Sequence, residues 1–213
     1  FYYQATSIYL APDKMNVDNE TIEAGEGTKM EHHWDEAFGY FGAPAHSLSL
    51  TPKEIVQIVK LNPEYLSKAD ANQDGKVDLV TEMAYAHAYY AASIDSSGKT
   101  HYFHTIVKAF YDGRSLINKA AGEKLSPAEL KQLHAYAKII KTTWQQVIAE
   151  AAFKYAGEVY NDLENIELLS ENGGDIKKSF RNYIKHWSEM KGFVLSLEAA
   201  GQELGATQVQ LDR

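Results

Sequence analysis

One short motif, His-Trp-x-Glu-x-x-Gly followed by an aromatic residue, occurs twice in the chain. The first copy covers residues 33–40 and reads HWDEAFGY, and the second covers residues 186–193 and reads HWSEMKGF. Tryptophan occurs only three times in the sequence and histidine eight times. Because both uncommon residue types recur in register with a Glu and a Gly, the two strings indicate an internal repeat.

Each copy predicts a pair of metal ligands on one face of a helix. Residues at positions i and i+3 point to the same side, so His33 is expected beside Glu36, and His186 beside Glu189. Two imidazole nitrogens with two carboxylates suit iron, manganese or zinc, and helical bundles hold such ions between facing helices. We therefore predict that the four residues form one transition-metal site, for iron or zinc. The alternative is a duplicated packing position, in which His and Glu satisfy each other.

A second candidate site is an acidic loop, residues 70–78, which reads DANQDGKVD and matches an EF-hand loop at alternate positions. The predicted calcium ligands are the side chains of Asp70, Asn72, Asp74, Asp78 and Glu82 and the main-chain carbonyl of Lys76. Thr81 stands where a bidentate Glu is usual, so Glu82, one residue later, is expected to complete the shell. The alternative is an Asx-rich turn that caps the next helix without metal.

Composition limits the functions that the chain can have. The sequence contains no cysteine, which excludes disulfides, thiolate zinc sites and thiol catalysis. The net charge of −8, from 29 acidic and 21 basic residues, opposes binding to a phosphate backbone, so no nucleic-acid partner is expected. No apolar run approaches the roughly 20 residues of a transmembrane helix. Hydrolase signatures and phosphate-binding glycine loops are absent, so we predict no catalytic and no cofactor-binding residues.

The elements that carry these motifs are predicted to be α-helices, because apolar residues recur at spacings of three and four. Capping boxes at Thr51–Glu54 and Ser126–Glu129 predict two helix starts, and Gly157 predicts a break or kink in the longest helix. The expected helices lie near residues 1–11, 29–42, 52–61, 78–94, 100–121, 127–164 and 175–200, with a loop over 13–28.

This pattern predicts an all-α fold, in which helices joined by short turns form an antiparallel bundle with an internal duplication and an EF-hand-like calcium loop. We expect one domain over residues 1–213, with pseudo-repeat halves of about 1–95 and 96–213. The tryptophan beside each motif histidine is expected to pack against a neighbouring helix, because it lies about 100° further round its own helix.

The strings at residues 31–42 and 185–193 resemble the hallmark of the imelysin-like family, His-x-x-Glu on a helix followed by aromatic residues and glycine. They look closer still to an uncharacterised bacterial branch of related exported proteins. The resemblance implies a duplicated helical bundle that is exported and linked to iron uptake, with a site at His33 and Glu36 and, through the repeat, at His186 and Glu189. Glu31 departs from the family pattern, which has Gly two residues before the motif histidine.

Three functions follow from these observations. The leading hypothesis is a periplasmic, outer-membrane-associated or secreted metal-binding protein that handles iron or another transition metal, carries a structural calcium ion and has a cell-envelope protein partner. The second is a metallopeptidase, with Glu36 or Glu189 as the base that acts on a metal-bound water. The third is a structural or accessory subunit that binds only calcium.

Overall fold

The computed structural model describes residues 1–22 and 27–201. Within these residues the regular structure is helical, and the one β-type pairing is an isolated antiparallel bridge between Thr21 and Thr28. The predicted all-α class is therefore confirmed. None of the described helices is long and apolar enough to cross a membrane.

The α-helices are α1 (Pro12–Met15), α2 (Lys29–Phe41), α3 (Pro52–Val59), α4 (Pro63–Ala69), α5 (Ala86–Asp95), α6 (Tyr102–Lys119), α7 (Pro127–Glu171) and α8 (Lys177–Ala200). A π-helix covers Gln4–Tyr9, and a short 3-10 helix covers Ser47–Ser49. The first motif copy lies on α2 and the second on α8. Residues 23–26 of the predicted loop over 13–28 lie outside the described residues.

Three features of the helices differ from the predictions. Helix α5 begins at Ala86 and not near residue 78, because Asp78 Oδ1 accepts hydrogen bonds from the N–H groups of Val80 and Thr81 and forms a turn there. Helix α4 was not expected, although Asn62 caps it and Pro63 stands at its first position. Helix α7 continues through Gly157 to Glu171 without the expected break.

Capping boxes begin several helices. The predicted boxes at Thr51–Glu54 and Ser126–Glu129 are confirmed, because each Glu carboxylate accepts from the capping residue's N–H and each cap hydroxyl accepts from the Glu N–H. A third box joins Thr28 and Glu31 at the start of α2. Its Thr-x-x-Glu pattern is present in the sequence and could have been found there.

Helix α2 ends at Gly42, which adopts a left-handed φ of 86°. A β-carbon at this position would meet the main-chain oxygen of Tyr85 at 2.6 Å, and the Tyr85 N–H donates to the Gly42 carbonyl at 2.8 Å. Glycine is needed here both for the left-handed conformation and for this close approach. The contact places Tyr85 against the C-terminal end of α2.

The chain divides into two compact units, Phe1–Trp144 and the part from Gln145 onward, and α7 runs through the division. The core of the first unit is aromatic and includes Trp34, Phe41, Phe103, Phe110 and Trp144. In the second unit the rings of Tyr155 and Phe193 stack 5.9 Å apart and join α7 to α8. The expected single domain, with halves that meet near residue 95, stays a prediction.

Candidate functional site

The first motif copy lies on a helix whose buried face is set by its tryptophan. Trp34 is only 1% exposed, and its Nε1–H donates to the main-chain oxygen of Phe110 on α6 at 2.8 Å. A β-carbon at Gly113 would meet the Trp34 ring at 2.1 Å, so the indole occupies the space that this glycine leaves. The expected packing of Trp34 against a neighbouring helix is confirmed, and it places His33 and Glu36 at the edges of the buried face.

His33 is held near the chain segment that precedes α2. Its Nδ1 lies 3.4 Å from the main-chain oxygen of Lys14, and the ring of Tyr9 lies 6.3 Å away. Burial lowers the pKa of His33, and the hydrogen bond to Lys14 acts in the opposite direction. A lowered pKa keeps the imidazole neutral near pH 7, which is the form that binds metal ions.

Glu36 lines a pocket that His33 does not line. The pocket has a volume of about 360 Å³ and is lined by Phe1, His32, Asp35, Glu36, Gly39, Tyr40 and Tyr85. His32 and Glu36 lie four positions apart on α2, so they share one side of the helix. The structure therefore places Glu36 with His32 in this pocket, a pairing that the repeat did not indicate.

The second motif copy has a partner that the sequence did not indicate. His186 Nδ1 lies 2.7 Å from Asp162 Oδ2 of α7, and the two side chains are 19% and 11% exposed. When Asp162 is ionised its carboxylate only accepts hydrogen bonds, so Nδ1–H is then the donor. In a neutral imidazole this tautomer leaves the lone pair on Nε2, as in the carboxylate–histidine–metal arrangement of many metal sites. The ring of Tyr155 lies 5.9 Å from the imidazole.

Glu189 and Trp187 complete the second copy. One carboxylate oxygen of Glu189, Oε2, is buried and has no hydrogen-bond partner among the described residues. Trp187 is 46% exposed, so this tryptophan is not enclosed as Trp34 is, and its packing against a neighbouring helix stays a prediction. The second copy therefore keeps the His and Glu side by side on α8 without the tryptophan anchor of the first.

The loop at residues 70–78 has a ladder of side-chain acceptors at alternate positions. Asp70 accepts hydrogen bonds from the N–H groups of Asp74 and Gly75 at 3.1 and 2.9 Å. Asn72 Oδ1 accepts from Asp74 N–H at 2.9 Å, and Asp74 Oδ1 accepts from Lys76 N–H at 2.8 Å. Gln73 and Gly75 both have left-handed φ values, 61° and 81°. These bonds turn the loop back on itself around its acidic side chains.

Glu82 closes the loop from its C-terminal side. This residue is 5% exposed, and its Oε1 accepts from the N–H groups of Ala71 and Asn72 at 2.8 and 3.2 Å. Its Oε2 accepts from Asp78 N–H at 2.9 Å. The hydrogen bond from Asp78 is the main cause of the lowered pKa of Glu82. The carboxylate thus stays ionised and is tied to both ends of the predicted calcium loop.

In residues 1–22 and 27–201, no three His, Asp or Glu side chains are arranged as a group that could hold a metal ion. His33 and Glu36 belong to the first compact unit, and His186 and Glu189 belong to the second. The shared transition-metal site of these four residues therefore stays a prediction, as does the calcium shell.

A family model described as a domain of unknown function, DUF4856, matches residues 2–210. Comparisons with curated proteins and with solved structures found no match.

Proposed function

We propose that this chain, which belongs to the DUF4856 family, is an exported metal-binding protein that holds calcium in the 70–82 loop and iron or zinc at its His-Glu pairs. The observation that carries the proposal is the acceptor ladder from Asp70 through Asn72 to Asp74, closed by Glu82. In the same proposal the helices form an antiparallel bundle with an internal duplication, and the protein acts in transition-metal handling at the cell envelope.

Calcium fits the loop because its ligands are oxygens. Asp70, Asp74, Asp78 and Glu82 are carboxylates within 13 consecutive residues, and calcium takes six to eight oxygen ligands. Each carboxylate oxygen has two lone pairs, so one that accepts a main-chain hydrogen bond can also bind a cation. Calcium is present at about millimolar concentration outside cells, which would fill even a weak site there.

A thermal-shift titration tests the calcium proposal. Asp74→Ala should lose the rise in Tm that calcium causes in the wild type, because an ion that binds only the folded state stabilises it by mass action. Glu167→Ala is the matched control, since it also removes one negative charge but lies on the exposed surface of α7. A full calcium response in Asp74→Ala would contradict the proposal.

The transition-metal proposal rests on the hydrogen bond between Asp162 and His186. An imidazole whose Nδ1–H is held by a carboxylate is oriented in advance and is a stronger base at Nε2. Glu189, three residues further along α8, offers a carboxylate on the same side of the helix. Imidazole and carboxylate together favour iron or zinc over calcium.

Zinc titrations of matched variants test this part of the proposal. His186→Ala should remove zinc binding at the second motif copy, and Asp162→Asn should weaken it about 10- to 100-fold, the usual effect of losing such an orienting partner. Glu167→Gln, which removes a charge elsewhere on α7, should bind zinc as the wild type does. The proposal fails if Asp162→Asn and His186→Ala both bind zinc with wild-type affinity.

The number of bound ions tests whether the two motif copies share one site. A shared site of four ligands predicts one zinc ion per chain and loss of that ion in either His33→Ala or His186→Ala. Two separate sites predict two ions, of which each variant loses one. Binding of calcium without any transition metal would instead support the accessory-subunit hypothesis.

A further inference from the structure

The pocket beside α2 combines aromatic walls with carboxylates. Its aromatic side chains are Phe1, Tyr40 and Tyr85, and its acidic side chains are Asp35 and Glu36. Its volume of about 360 Å³ lies within the roughly 300–1,000 Å³ that is usual for small-molecule sites. We propose that this pocket binds an organic ammonium group, which can be a quaternary ammonium or a protonated amine.

The aromatic walls are held by contacts with one another, with the main chain of α2 and with Tyr9, which lies outside the pocket. The ring of Tyr40 stacks on Tyr9 at 5.8 Å with an interplanar angle of 29°, and Phe1 lies tilted against it at 6.1 Å. The Tyr85 hydroxyl donates to the main-chain oxygen of Gly39 at 2.8 Å. These contacts order the rings before a ligand enters, which lowers the entropic cost of binding. Aromatic ring faces attract cations within about 6 Å.

The pocket also offers one unpaired carboxylate to a cation. Glu36 has no hydrogen bond and no ion pair among the described residues, so its carboxylate is available to a ligand. Asp35 shares its charge with Arg114, whose Nε lies 2.8 Å from Oδ1. Gly39 and Tyr40 lie in the last turn of α2, where the negative end of the helix dipole stabilises positive charge.

The same walls favour an organic cation over a metal ion. Aromatic carbons supply no lone pairs for a metal ion, and the Asp35 carboxylate is already paired with Arg114. In an alkylammonium ion the charge is spread over C–H groups, which pack against ring faces while a carboxylate balances the charge. This inference goes beyond the proposed metal binding, with which it shares only Glu36.

Calorimetric titration with choline tests the inference, with 3,3-dimethylbutan-1-ol as a neutral molecule of nearly the same shape. All titrations contain EDTA, so that bound metal cannot contribute. The wild type should bind choline at least about tenfold more tightly than the alcohol, because only the cation gains from the carboxylate and the ring faces. Equal affinity for the two compounds would overturn the inference.

Three variants identify the groups responsible. Glu36→Gln should weaken choline binding by about tenfold or more, and Tyr40→Leu by about fivefold to thirtyfold, which is the range expected from losing one cation–π contact. Tyr40→Phe keeps the ring and should bind within about twofold of the wild type. Circular dichroism melting identifies any variant that fails to fold.

If Tyr40→Leu does not fold, Glu36→Gln and Tyr40→Phe still carry the test. Wild-type choline affinity in Glu36→Gln would overturn the inference. The outcome is separable from the metal proposal, because Tyr40→Leu should leave the zinc affinity of the second motif copy unchanged. If the protein binds neither zinc nor calcium, the metal proposal fails, but the choline measurement still decides the inference about the pocket.

Discussion

The two motif copies have the same spacing of His, Trp, Glu and Gly but different surroundings. In the first copy Trp34 is 1% exposed, whereas in the second Trp187 is 46% exposed. His33 contacts a main-chain oxygen at 3.4 Å, whereas His186 contacts a carboxylate at 2.7 Å. The repeat therefore conserves side-chain spacing along a helix, while the neighbouring helices decide what each side chain does.

This difference in burial means that the first motif copy is anchored in the core, whereas the second is more accessible to solvent. On α2 the tryptophan is part of the aromatic core, so changes there act first on folding. On α8 the tryptophan is partly in solvent, and the His side chain is held instead by Asp162. Substitutions at equivalent positions should consequently have unequal effects on stability.

The largest expected difference is between the two tryptophans. Trp34→Ala should lower the free energy of unfolding by about 3–5 kcal/mol, because it leaves a cavity in the core and removes the partner of the Phe110 carbonyl. Trp187→Ala should change it by only about 0.5 kcal/mol, as is usual for surface positions. Urea unfolding of both variants measures this, and equal losses would show that Trp187 is also an anchor.

A second prediction concerns the stability of the first unit at low pH, because its aromatic core contains a buried histidine. Burial lowers the pKa of His87 to about 4, below its ordinary value of about 6.5. Between these values the unfolded chain binds a proton that the folded chain does not, so stability falls as the pH falls through this window. By pH 4.5 the loss should reach about 2–3 kcal/mol.

His87→Gln should remove this part of the acid sensitivity, as measured by the difference in unfolding free energy between pH 7 and pH 4.5. His101→Gln is the matched control, because it makes the same substitution at an exposed position outside this core. An identical pH dependence in wild type and His87→Gln would contradict the prediction.

Alanine substitutions at two glycines should have smaller effects on stability, and the two effects should have opposite signs. Gly113→Ala should cost about 1–3 kcal/mol through overpacking, because the new methyl group would meet the Trp34 ring. Gly192→Ala, in the second motif copy, meets no atom within 4 Å and should stabilise α8 by about 0.5–1 kcal/mol. Thermal unfolding of both variants shows the signs, and destabilisation by Gly192→Ala would reveal a packing role for the motif glycine.

The smallest expected effect concerns how α2 begins. Thr28→Ala removes the hydroxyl that accepts from Glu31 N–H at 3.2 Å and should cost about 1 kcal/mol, the typical value for a lost N-cap. Thr28→Ser keeps the hydroxyl and should lie within a few tenths of a kcal/mol of the wild type. A loss of similar size in both variants would show that the methyl group, and not the cap, matters.

The sequence by itself was enough to predict features that depend on residues close together in the chain. The helical class follows from apolar spacing, and the helix starts at Thr51 and Ser126 follow from their capping boxes, because periodicity and capping act within a few residues. The late start of α5 at Ala86 was missed although its cause is also local, since an Asp can cap either a turn or a helix.

Only the tertiary structure decided the environment of each motif. Asp162 meets His186 across 24 positions of the chain, and Trp34 meets Phe110 across 76; no short-range pattern marks either partner. Glu36 enters a pocket with His32 and Tyr85 because Gly42 lets the chain at Tyr85 approach the end of α2. Contacts between distant residues depend on how helices pack, and helical spacing in one segment carries no information about which helix will cover it.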